Sequence, residues 1–87
     1  WWVLAIGKAA SGMTLGALDA LGARVARALV ITRPDHFDAE LSQHPQVTCV
    51  PGDHPVPGAA SLAAGQAVLE FAAAVPAGQR VLVLVSG

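Results

Sequence analysis

Trp1-Trp2-Val3-Leu4-Ala5-Ile6-Gly7 begins the sequence and Val81-Leu82-Val83-Leu84-Val85-Ser86-Gly87 ends it. Each is an unbroken apolar run of strand length that stops at a glycine or a small polar residue. Continuous rather than alternating apolarity suits a strand buried on both faces, the pattern of a parallel sheet. Of the two, Val81–Val85 reads as the clearest buried strand in the chain. Working inward, Ala28-Leu29-Val30-Ile31-Thr32 has the same character and is closed by Arg33-Pro34-Asp35, while Val47-Thr48-Cys49-Val50 makes a shorter strand. Elsewhere the period changes. Ala10, Met13, Ala17 and Leu21, flanked by Leu15 and Leu18, recur at helical intervals between Ala9 and Gly22, and Gly22 is a fitting stop. Ala64, Val68, Phe71 and Val75 form a second helical stripe, with Ser61 expected to cap it and Pro76-Ala77-Gly78 to end it. Arg33–Gln46 reads as a polar loop with one short helical turn, its apolar weight confined to Phe37 and Leu41. Pro51–Gly58, with three prolines and two glycines, is loop punctuation.

Strand, helix, strand, loop, strand, helix, strand predicts an α/β fold. The expected architecture is a mainly parallel sheet of about four strands with crossover helices, Rossmann-like. Eighty-seven residues make at most one small domain, and so short a chain buries only about 60–65% of its unfolded surface. With 54% hydrophobic and 13% charged residues, intrinsic disorder is excluded. The apolar excess is mostly alanine: eighteen Ala stand against two Trp, two Phe and no Tyr, so the core holds many small groups. A net charge of −1 removes the global case for nucleic acid, which asks for a basic footprint. No apolar run approaches the roughly 20 residues that span a bilayer, and no basic leader precedes an apolar stretch as in a secretory signal. The single cysteine, Cys49, rules out an internal disulfide and fits a reducing, cytoplasmic compartment. Both ends fall in strand-like runs, which reads as an incomplete domain cut from a larger protein. Four strands with two helices leave one face partly bare, so the isolated chain is expected to self-associate, as a homo-oligomer or an aggregate.

In parallel sheets ligands bind beyond the carboxyl ends of the strands. That rule selects Gly7–Gly12, Gly52–Ser61 and Ser86-Gly87. Gly7-Lys8-Ala9-Ala10-Ser11-Gly12-Met13-Thr14 has the glycine spacing and final Thr of a P-loop, but Met13 stands where the essential Lys belongs. It also lacks Gly-x-Gly-x-x-Gly, because Ala9 replaces the second glycine. What remains is a helix N-terminus with Lys8, the only lysine, beside it. Two readings stay open there: an anion site, or a solvated lysine on a plain strand-to-helix turn. Asp53-His54-Pro55-Val56-Pro57 is the second candidate, since imidazole works as acid, base or donor near neutral pH and prolines stiffen its loop. The alternative is a rigid connector in which His54 bonds a neighbouring carbonyl. His36, His44 and Cys49 form no metal-ligand spacing, and Cys49, inside an apolar strand, reads as an inert small hydrophobe. Arg24, Arg27, Arg33 and Arg80 are scattered and read as solvated, and Trp1 and Trp2 as core or interface anchors.

Three stretches taken in order resemble one family. Ile6-Gly7-Lys8-Ala9-Ala10 with Met13, then Gly52-Asp53-His54-Pro55-Val56-Pro57 with Ser61, then Val81–Gly87 are similar to the amino-terminal part of the type II glycerate 2-kinases, whose carboxy-terminal half holds the MOFRL domain. The resemblance runs over essentially the whole chain. It implies a cytoplasmic, ATP- and Mg2+-dependent kinase that phosphorylates D-glycerate at its 2-hydroxyl. It implies that Lys8 is catalytic, that His54, Pro55 and Pro57 line the substrate cleft, and that Ser86 and Gly87 begin a glycine-rich loop for nucleotide phosphates. It also implies that the partner residues across the cleft and the metal-binding carboxylates belong to a second domain missing from this segment, so the segment alone is expected to be inactive. Gly58 departs from the Asp common after the second proline, and Asp53 stands where the family has a small residue. Members are also labelled hydroxypyruvate reductases, but no nicotinamide fingerprint supports hydride transfer. The alternative is a standalone α/β module that binds a phosphorylated small molecule or a protein partner.

Overall fold

The computed structural model describes residues 1–52 and 59–86, without the side chains of 59–61. Four strands form one sheet: β1 (Trp2–Ile6), β2 (Arg27–Thr32), β3 (Val47–Pro51) and β4 (Val81–Val85). Their order is β3-β2-β1-β4 and every neighbouring pair is parallel. Helix α1 (Ala10–Leu21) links β1 to β2, and α2 (Ala59–Ala74) links β3 to β4. The α/β fold with an all-parallel sheet is the one the strand and helix spacings predict.

The two helices cover opposite faces. Side chains alternate along each strand, so residues at even spacing share a face. Val3, Ala5, Ala28 and Val30 point to one face and pack with Ala10, Leu15, Ala17, Leu18 and Leu21 of α1. Ala5, Ala10 and Ala28 are almost wholly buried, and their small volumes let the helix approach the strands closely. On the other face Leu29 and Ile31, with Leu4, Ile6 and Val50, meet Ala64, Ala67, Val68 and Phe71 of α2. Trp2 closes that side, its ring tilted 60° against Phe71 at 5.2 Å, so Trp2 is a core anchor as expected. Burying each such Leu, Val or Ile contributes about 1.5–3 kcal/mol, and this is what holds helices of weak amphipathicity in place.

Helix α1 ends at the glycine that its spacing marks. Gly22 adopts φ +56°, a left-handed conformation open to glycine, and its N–H donates to the Leu18 carbonyl. The segment between β2 and β3 holds two 3-10 turns rather than one, Pro34–His36 and Ala39–Gln43. They fold Leu41 into the α1 side of the core, where it is 1% exposed.

Three expectations are corrected. Val81–Val85 is the most uniformly apolar run, yet Val81, Val83 and Val85 are 44%, 55% and 69% exposed. The reason is position: β4 is an edge strand, and α2 packs over β2 and β3. The bare apolar face anticipated from two helices on four strands is this valine stripe. Ser61 lies inside α2 rather than at its cap position, because the helix starts two residues earlier at Ala59, extended by good helix formers. Cys49 is exposed rather than enclosed, because β3 is the other edge.

Candidate functional site

All-parallel pairing brings the carboxyl ends of the four strands to one edge of the sheet. From β1 the chain passes through α1 on one face to reach β2, and from β3 through α2 on the other face to reach β4. The strand order therefore reverses between β1 and β4. This is the topological switch point, where open α/β sheets place their ligands. Lys8 follows β1 by two residues and Ser86 follows β4 directly, so two motifs 78 positions apart in sequence meet there.

The contact between them is tight. Ile6 pairs with Val85, and the Ser86 N–H donates to the Ile6 carbonyl at 2.9 Å. Gly7 then turns with φ +119°, and a Cβ at this position would overlap the Ser86 carbonyl oxygen and hydroxyl. Glycine is needed here for both backbone conformation and space. The Ala9 N–H donates to Ser86 Oγ at 2.9 Å, so β4 supplies the hydroxyl that caps the start of α1. The Ala10 N–H returns to the Gly7 carbonyl at 3.2 Å and completes the turn. Lys8 sits exposed between these anchors.

The electrostatics favour an anion. No acidic residue lies in the first turn of α1, so its positive dipole end is uncompensated and Lys8 stands beside it. Two internal hydroxyl bonds stiffen the helix start: Ser11 Oγ donates to the His36 carbonyl and Thr14 Oγ1 to the Ala10 carbonyl, both at 2.8 Å.

A family model described as a domain of unknown function, DUF4147, matches residues 1–87. The chain belongs to the DUF4147 family. No curated protein and no solved structure matches it.

Of the residues singled out in the sequence, this DUF4147 chain sets Ser86 against Gly7 and Ala9, the two neighbours of Lys8. His54, Pro55, Pro57 and Gly87 lie outside the described residues, as do Asp53 and Gly58. The four arginines are exposed, but each has a partner: Arg24 Nε donates to the Leu21 carbonyl at 3.3 Å. Arg27 lies 5.8 Å from the Trp2 ring centre and Arg80 5.6 Å from that of Trp1, at the edge opposite Lys8. Arg33 pairs with Asp35 at 3.4 Å.

Sequence reading passed over Thr32. It ends β2 beside Gly7, is buried, and its hydroxyl has no hydrogen-bond partner among the described residues. A polar residue terminating an apolar run at a strand's carboxyl end was the available signal. The sequence marks Gly7 as a strand-to-helix turn and as the first glycine of a near P-loop spacing; its close approach to Ser86 needs the β1–β4 pairing to be seen.

Two grooves lie away from this edge. One of about 250 Å³ runs under α2 beside Trp2, Arg27, Gln46, Thr48, Glu70 and Phe71. The other, of about 460 Å³, lies under the 3-10 turns beside Phe37, Leu41, Val47 and Cys49. Partial burial raises the Cys49 thiol above its ordinary range. Among the described residues no three His, Cys, Asp or Glu side chains come together to hold a metal, and no helix is long and apolar enough to cross a membrane.

Proposed function

We propose that this DUF4147 chain is the amino-terminal α/β part of an ATP-dependent glycerate kinase that phosphorylates D-glycerate at its 2-hydroxyl. The observation that carries the reading is the meeting of Lys8 and Ser86 at the switch point between β1 and β4. The resemblance to the type II glycerate 2-kinases selects both residues, and in the fold they adjoin.

The local chemistry fits a phosphate or a carboxylate. Lys8 offers an exposed ammonium, and the start of α1 offers backbone N–H groups with the helix dipole behind them. Phosphoryl transfer is governed by positioning and by neutralisation of charge, so a lysine fixed at a helix N-terminus supplies the kind of stabilisation it needs. ATP supplies the phosphoryl group when bound, its phosphates falling to Lys8 and to the loop that begins at Ser86 and Gly87. His54, Pro55 and Pro57 are assigned to the glycerate side of the cleft. Residues holding Mg2+ are assigned to the second domain.

The test is an ADP-release assay on the complete, two-domain kinase. ADP should appear only when D-glycerate is present, with phosphate on the 2-hydroxyl by NMR. Consumption of NADH with hydroxypyruvate, without ADP release, would replace this reading by a reductase. A module that binds ATP and phosphoglycerate but releases no ADP would replace it by a binding function.

A further inference from the structure

We infer that Ser86 acts as a positioning residue for Lys8, through the backbone of the Gly7-Lys8-Ala9 turn. The inference deepens the kinase reading and rests on it for the role of Lys8. Its grounds are geometric. The three-residue turn is held at both ends by Ser86: its N–H extends the β1–β4 ladder to Ile6, one residue before the turn, and its Oγ accepts from Ala9, at the turn's end. Gly7, between them, has its side-chain space filled by Ser86 atoms.

Ser86 thus supplies the one side-chain bond to the turn that carries Lys8, at its Ala9 end. Backbone bonds fix the turn's Gly7 N–H to the Ile31 carbonyl at 3.1 Å and its Ala9 carbonyl to the Met13 N–H at 2.9 Å, with Ala10 returning to Gly7 at 3.2 Å, but the Ala9 N–H is bonded to Ser86. Removing the Ser86 hydroxyl frees the Ala9 N–H and leaves the turn to reorient, carrying the lysine with it. A hydroxyl engaged in this way serves the lysine first, and its contribution appears in turnover rather than in nucleotide affinity.

The experiment compares Ser86→Ala and Ser86→Thr in the complete kinase. Ser86→Ala should lower kcat about 10- to 100-fold, the scale of a misplacement near 1 Å, with KM for ATP changed by less than about threefold. Ser86→Thr, which keeps the hydroxyl, should restore kcat to within about threefold. Hydrogen exchange at the Ala9 amide should quicken about tenfold in Ser86→Ala and not in Ser86→Thr.

A KM increase larger than the kcat loss would overturn the inference and make Ser86 a direct phosphate ligand. Failure of Ser86→Thr to rescue, or unchanged Ala9 exchange, would overturn it as well. If the wild-type protein released no ADP, the kinase reading would fall separately. Ala9 exchange would still decide, together with the acylation rate of Lys8, the single lysine of this chain. That rate should change in Ser86→Ala alone, and an unchanged rate would refute the positioning role.

Discussion

Strands β2 and β4 are close to each other in composition and opposite in surroundings. From Ala28 to Thr32 every residue of β2 is buried, whereas β4 alternates between half-buried leucines and exposed valines. β2 lies inside the sheet beneath both helices; β4 is the outer strand, reached by α1 on one face alone. An unbroken apolar run thus reports that a strand belongs to a parallel sheet. It does not report how much of that strand this chain's own helices cover.

Truncations to alanine in the two strands break the comparison most sharply. Leu29→Ala in β2 removes a buried side chain and should cost about 2–4 kcal/mol, a large share of the stability of so small a domain. Val83→Ala in β4 should cost less than about 0.5 kcal/mol. Urea unfolding of both variants checks the pair, and similar losses would show that β4 is covered after all.

Next in size is the point where β1 and β4 touch. Gly7→Ala meets both a positive φ and the Ser86 oxygens, and should destabilise by about 1–3 kcal/mol. Gly16→Ala, on the exposed side of α1 with open space around it, should instead stabilise by about 0.5–1 kcal/mol. Opposite signs of the shift in unfolding midpoint are the expected result. If both glycines behaved alike, the close approach at Gly7 would be absent.

Smaller still is the effect of the valine stripe on stability, though not on solution behaviour. Val83→Thr should leave the unfolding midpoint almost unchanged while reducing self-association in sedimentation velocity. At the opposite edge, Cys49 is exposed but its thiol is raised by partial burial, so less thiolate forms at a given pH. Its alkylation at pH 8 should run slower than that of a free thiol; a rate equal to or above the free thiol's would contradict this.

Much of the fold was legible because each strand is a compact apolar run and α1 carries both a helical stripe and a glycine stop at Gly22. Strand order was not, since a run such as Val81–Val85 carries no mark of which neighbour it pairs with. Lys8 stood out by rarity and by its place after a strand. The tie of the adjoining Ala9 to Ser86 was hidden, because a hydrogen bond spanning 77 residues depends on the sheet bringing two chain segments together. Thr32 is marked in the sequence only as a polar end to an apolar run; the lack of a partner for its hydroxyl is a property of the packed edge and not of the residue.

The central claim is that Lys8, held at the switch point between β1 and β4, serves a kinase. It is tested most directly by glycerate-dependent ADP release from the complete kinase with and without Lys8→Ala. The account predicts a loss of at least about a hundredfold in kcat, the scale of removing one preorganised charge-stabilising group. It also predicts an unchanged circular dichroism spectrum, because Lys8 is exposed and packs against no core residue. Near-normal ADP release from Lys8→Ala would contradict it.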